Sequence, residues 1–151
     1  MAATAHDVEP IRVEHLAGDR FALQIRGHEV VVDQPIEEGG NDTGPTPTEL
    51  FVASLAACVA FYVRRYLARH GFPTEGLTVE ARASFATNPT RVGHISLDVG
   101  VGSPLDDELR ARLHTVARRC TIHNTLGSPP EIDLEIKERE TAQVHETRPG
   151  D

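Results

Sequence analysis

Two residues in this chain carry sulfur that could do covalent or redox chemistry, Cys58 and Cys120. The thiolate is the reactive form of cysteine, and a neighbouring cation, a helix N-terminus or a metal favours it. Cys58 lies within Leu55-Ala56-Ala57-Cys58-Val59-Ala60, an apolar setting in which a free cysteine is ordinarily a packed, inert thiol. A helix dipole cannot activate it there, since that effect fades within the first turn and Cys58 stands eleven residues beyond Pro47, the expected first helical position. Cys120 opens Cys120-Thr121-Ile122-His123, and a Cys-x-x-His pair can place two ligands on one ion. Cys58, Cys120 and His123 together supply three of the four ligands a structural zinc needs, and the sequence offers no second close pair. Packing thiols, a metal pair and a redox couple therefore all remain open from these residues alone.

The elements that must position them follow from period and punctuation. Ile11 to Val13, then Phe21, Leu23 and Ile25, then Val30 to Val32 alternate or run apolar around Ala17-Gly18-Asp19, which predicts a hairpin or three-stranded meander. From Asp33 to Thr48 the chain holds Pro35, Gly39, Gly40, Gly44, Pro45 and Pro47, a loop of functional length. Thr46-Pro47-Thr48-Glu49 predicts a capped helix start with a capping box. That helix should run from about residue 47 to 70, apolar around its whole circumference and covered on most sides, with Arg64, Arg65 and Arg69 in its last turns and a stop at Gly71 and Pro73. Leu77 to Phe85 and Ile95 to Val101 repeat a two-residue period across Asn88-Pro89, a second hairpin. A further helix opens at Ser103-Pro104-Leu105-Asp106, with Leu105, Leu109, Leu113, Val116, Ala117 and Cys120 on one stripe, so Cys120 should face the core. Ile132, Leu134 and Ile136 read as a last strand, and residues 138–151 as a loose tail. The order of elements predicts a single α+β domain with its core at about residues 10–137.

Composition narrows the partners. Fifteen Lys+Arg against 23 Asp+Glu give a formal charge of -8, which repels phosphate backbones and anionic membrane surfaces, so neither nucleic acid nor a membrane is an expected partner. The apolar run Leu50 to Val63 is interrupted by Ser54 and reads as a buried helix, too short to span a bilayer. MAATAHDVEP lacks the features of a secretory signal, and two cysteines do not make a disulfide framework, so a cytoplasmic protein is expected.

Two separate segments resemble the paired cysteine motifs of the OsmC/Ohr family. Gly44-Pro45-Thr46-Pro47-Thr48-Glu49-Leu50-Phe51-Val52-Ala53-Ser54-Leu55-Ala56-Ala57-Cys58 is similar to the family's glycine-proline entry, Glu-Leu and small-residue run into cysteine. Cys120-Thr121-Ile122-His123-Asn124-Thr125-Leu126 is similar to its second cysteine motif, with Thr121 where proline is usual. Gly39-Gly40-Asn41-Asp42 points to a divergent OsmC-like branch. The resemblance implies antiparallel sheets packed around a long central helix and a second helix, in an intertwined homodimer. It also implies an organic hydroperoxide reductase without cofactor or metal. Cys58 would be the peroxidatic thiol and Cys120 the resolving one, and an external dithiol, in one branch a dihydrolipoyl group, would reduce their disulfide.

The family further implies a glutamate and an arginine beside the first cysteine. Glu49 matches the glutamate, although a capping box would claim the same side chain. Arg20, beside Gly18-Asp19, is the better match to the arginine and Arg26 the other; either could instead be a solvated turn residue. On a straight helix Glu49 and Cys58 fall on opposite faces and roughly 13 Å apart along the axis. A broken helix, a long bridging arginine or a contribution from a dimer partner could reconcile them. His123 could serve in capping, packing or proton transfer. The competing expectation is a member of the fold that binds a small apolar or acyl ligand in the interface cleft without turnover. A Cys/His hydrolase lacks a nucleophile turn and a placed acid.

Overall fold

The computed structural model describes residues 8–138, so all but the first residue of the expected C-terminal tail lies outside the described residues. β1 (Arg12–Ala17), β2 (Arg20–Ile25) and β3 (His28–Val32) form an antiparallel meander in the order β1-β2-β3. Its two turns are tight, with Gly18 and Arg26 both in the left-handed region. The register sets Phe21 opposite Val32 and Leu23 opposite Val30, one face of the sheet.

After β3 the chain turns around one carboxylate. Asp33 is fully buried, and its oxygens accept from the backbone N–H of Gln34 (2.8 Å), Asn41 (3.2 Å) and Thr43 (3.0 Å) and from the Thr43 hydroxyl (2.7 Å). A short 3-10 turn, Ile36–Glu38, lies inside the segment they gather. The loop presses back on the strand end so closely that a Cβ on Gly40 would sit 2.0 Å from the Gln34 carbonyl oxygen, and one on Gly44 2.2 Å from that of Val31. Glycine is required at both by close approach alone. The Thr43 hydroxyl, helped by the three N–H donors and opposed by burial, holds the Asp33 carboxyl below its usual pKa. Because the folded pKa is depressed, this contribution to stability is present above the ordinary carboxylate range and is lost as pH falls through the folded value. Asp33→Asn should therefore lower Tm by about 5–10 °C near pH 7, a gap that narrows as melts are repeated toward about pH 3. A gap constant across that series would show that the carboxylate's charge is not what organises the loop.

The loop delivers α1 (Pro47–Arg69) with the expected start: the Glu49 N–H donates to Thr46 Oγ1 (3.2 Å) and the Glu49 carboxylate accepts from the Thr46 N–H (2.7 Å). The helix is continuous over its 23 residues, which makes it long and apolar enough to cross a membrane by length and composition, whereas the run Leu50 to Val63 alone is too short. Its role in this fold is that of a core helix. Leu55, Val59, Val63 and Leu67 recur at i+4 and are buried. They pack with Leu109 and Leu113 of α2 (Asp107–Ala117), while β4 (Thr78–Ala86) and β5 (Arg91–Gly100) lie alongside as an antiparallel hairpin.

Three expectations need correction. α1 is covered on one side, not most: Phe51 and Phe61 stay exposed, and the core cluster built on α1 takes no residue from β1–β3. The rest of the apolar circumference read from the sequence has no cover among the described residues. Cys120 is not on α2, which ends at Ala117; a short turn follows, and Cys120 caps a separate helix, α3 (Thr121–Gly127). Finally, Ile132, Leu134 and Ile136 form no strand. They are 87%, 87% and 92% exposed, and the segment pairs with neither sheet. The α+β class and the two antiparallel sheets stand as expected.

Candidate functional site

α1 carries Cys58 in its middle, one position before the buried Val59, so that the thiol is half-buried at the margin of the core cluster. α3 brings Cys120 against it. The Cys120 side chain takes the N-cap place, accepting from the His123 N–H at 3.3 Å, a role usually filled by Ser, Thr or Asp. One turn on from Cys58, Tyr62 reaches over to α3, its hydroxyl 3.1 Å from Thr121 Oγ1, which ties the start of α3 to the face of α1 that bears the thiol. Cys58 and Cys120 are both free, and Cys58 packs against the buried cluster that contains Cys120.

The two thiols differ in environment. Cys120 is 0% exposed. Burial pushes its thiol up from the ordinary value, the His123 N–H opposes this, and the neighbouring Cys58 thiol reinforces it. Near neutral pH Cys120 is thus a protonated thiol. Cys58 is the sulfur with access to solvent. A buried neutral thiol touching a more accessible one fits a resolving and attacking pair, since thiol–disulfide chemistry needs one exposed nucleophile and one partner within reach.

The remaining expected residues do not gather at this pair within one chain. Glu49 is held in the capping box at the start of the unbroken α1, which removes a helix break as the means of bringing it to Cys58. Arg20 opens β2, opposite Ala17, and its Nε is buried without a hydrogen-bond acceptor among the described residues. Arg26 occupies the next turn in a left-handed conformation. No hydrogen bond or ion pair joins Arg20 to Glu49 or to either cysteine among the described residues. His123 contributes its backbone N–H to Cys120 and lines a cavity between α2 and β5. Among the described residues no three His, Cys, Asp or Glu side chains converge as a metal site would require. Sequence reasoning missed Asp33, Tyr62 and the capping role of Cys120. Tyr62 alone had a signal, its i+4 spacing from Cys58.

A family model described as OsmC-like protein matches residues 39–135, which includes both cysteines. No curated protein matches the chain at the sequence level. Among solved structures, the fold is similar to that of a Psychrobacter arcticus 273-4 protein assigned provisionally to the osmotic-stress-induced and detoxification response, with TM-score 0.73 at 20% identity over 82% of this chain and 91% of that one. It is similar to an organic hydroperoxide resistance protein from Elizabethkingia anophelis, with TM-score 0.62 at 20% identity over 82% and 93%. It also resembles the organic hydroperoxide resistance protein OhrB of Bacillus subtilis, with TM-score 0.58 at 20% identity over 85% and 98%. At these identities the likeness establishes the fold.

Proposed function

The chain belongs to the OsmC-like protein family, and from that premise we propose that it is a thiol peroxidase that reduces organic hydroperoxides to alcohols. The observation that carries this reading is the contact between a half-buried Cys58 and a fully buried Cys120. The Cys58 thiolate attacks the terminal oxygen of ROOH, the O–O bond breaks, and the alkoxide leaves as ROH with one proton. Cys58 is left as a sulfenic acid. The Cys120 sulfur then attacks Cys58 Sγ, the S–O bond breaks, water departs, and a Cys58–Cys120 disulfide remains. An external dithiol, such as a dihydrolipoyl protein, supplies two electrons to restore both thiols. A cytoplasmic location suits a pair that must be kept reduced.

The same proposal includes a homodimer. Support comes from the uncovered flank of α1, from the exposed alternation of Ile132, Leu134 and Ile136, and from an Arg20 Nε that lacks an acceptor among the described residues. A buried N–H without a partner is costly. With α1 unbroken, a second copy remains the economical route by which Arg20 and Glu49 could serve a Cys58 site.

A second reading is favoured by one observation: the Glu49 carboxylate is already engaged at the Thr46 N–H, away from Cys58. That reading is a non-catalytic protein binding an apolar or acyl ligand in the dimer-interface cleft. Titrating the reduced protein with cumene hydroperoxide separates the two. The peroxidase reading expects one equivalent to consume both thiols and form one intramolecular disulfide; unchanged thiols after excess peroxide would leave the binding reading.

A further inference from the structure

We propose that the cavity between α2 and β5 is a binding site for a single-chain amphiphile with a carboxylate head, such as a medium-chain fatty acid. The cavity has a volume of about 310 Å³ and an apolar floor that includes Val63, Leu97, Val99 and Leu113. That size is at the lower end of small-molecule pockets, which run from about 300 to 1,000 Å³. It suits one alkyl chain.

The wall opposite β5 is cationic. Arg110 and His114 of α2 and Arg118, its C-cap, recur at i+4, and all three line the cavity. In a chain of formal charge -8, carboxylates are plentiful, yet neither Arg110 nor Arg118 forms an ion pair among the described residues. Both are exposed and line a cavity with an apolar floor, and neither guanidinium is hydrogen-bonded among the described residues. A guanidinium prefers a carboxylate in fork geometry, and an apolar floor prefers hydrocarbon, so the ligand that satisfies both has an anionic head joined to an alkyl tail. A neutral alkane or alcohol would satisfy only the floor. The inner end of the cavity reaches Val59, the residue after Cys58, and His123 of the Cys120 helix lines it too. An acyl tail seated there would lie against the helix segment that carries the thiol pair.

Binding at this site does not require Cys58 to turn over, so it stands whether or not the peroxidase reading does. Calorimetry of the full chain with decanoate and with decanol tests it. Decanoate should bind about tenfold or more tightly than decanol, and the double variant Arg110→Gln, Arg118→Gln should abolish that preference while leaving decanol binding unchanged. A second variant, Val99→Trp, fills the floor and should weaken both ligands. Equal affinity for the two ligands, a preference that survives the double variant, or no binding of either because the cavity is closed in solution would each overturn the proposal. The hydroperoxide titration reads the thiols separately, so the two proposals can fail independently.

Discussion

Cys58→Ser should abolish catalytic peroxide consumption, a loss on the order of 10³-fold or more, while Cys120→Ser should retain a single turnover that ends in a Cys58 sulfenic acid. The asymmetry follows from packing. Cys120 has no exposed surface and is held protonated by burial, so neither peroxide nor a bulky reductant can reach it first. Cys58 has the access that Cys120 lacks, and its neighbour stands in contact to capture the oxidised sulfur. Serine in place of Cys58 keeps the volume but offers a hydroxyl far less nucleophilic at neutral pH. Serine at position 120 keeps even the cap, because its oxygen can accept from the His123 N–H as the thiol does. The Cys120 variant should therefore fold normally and fail only at the resolving step. Peroxide assays with a dithiol reductant, joined to mass spectrometry of a dimedone adduct at Cys58, read both outcomes. Equal and complete loss in the two variants, with no adduct in Cys120→Ser, would remove the assigned roles.

The parts of this architecture that were legible in the sequence are those fixed by local chemistry. Thr46-Pro47-Thr48-Glu49 announces a helix start because the hydroxyl, the fixed φ and the carboxylate each satisfy a terminal N–H or tolerate its absence, and both capping hydrogen bonds are formed. The two hairpins followed from their two-residue periods and turn residues. The break between α2 and α3 was hidden because neither glycine nor proline marks it. Cys120 continues the i+4 stripe of α2 by coincidence of spacing, and a cysteine cap has no ordinary signature. Asp33 was unreadable for a different reason. A carboxylate after a strand looks like a solvated turn residue until Asn41 and Thr43, eight and ten positions later, fold back onto it. The cysteine pair was legible as two motifs, but their contact depends on how α3 leans on α1 through Tyr62 and Thr121, which no local rule specifies. Arg20 remains apart from both, so the weakest assignment in the sequence is also the one the single chain does not assemble.

Leu134→Ser together with Ile136→Ser should weaken self-association by about 10² to 10⁴-fold, corresponding to the roughly 3–6 kcal/mol expected for two apolar side chains buried at an interface. Both side chains are almost wholly in water in the isolated chain, so the substitutions remove nothing from its own core. Any loss must come from contacts with another copy. The alternation Glu131-Ile132-Asp133-Leu134-Glu135-Ile136 is that of a strand with one apolar face, yet it pairs with neither sheet of its own chain. In the proposed homodimer this segment and the uncovered flank of α1 would be complementary, each copy covering what the other leaves open. Sedimentation velocity across a concentration series should show a dimer for the wild type and a monomer for the variant at low micromolar protein. If Arg20 or Glu49 acts on the partner's Cys58, peroxide turnover should fall in step with the dimer fraction. A variant that stays dimeric with an unchanged dissociation constant would place the interface elsewhere on the chain.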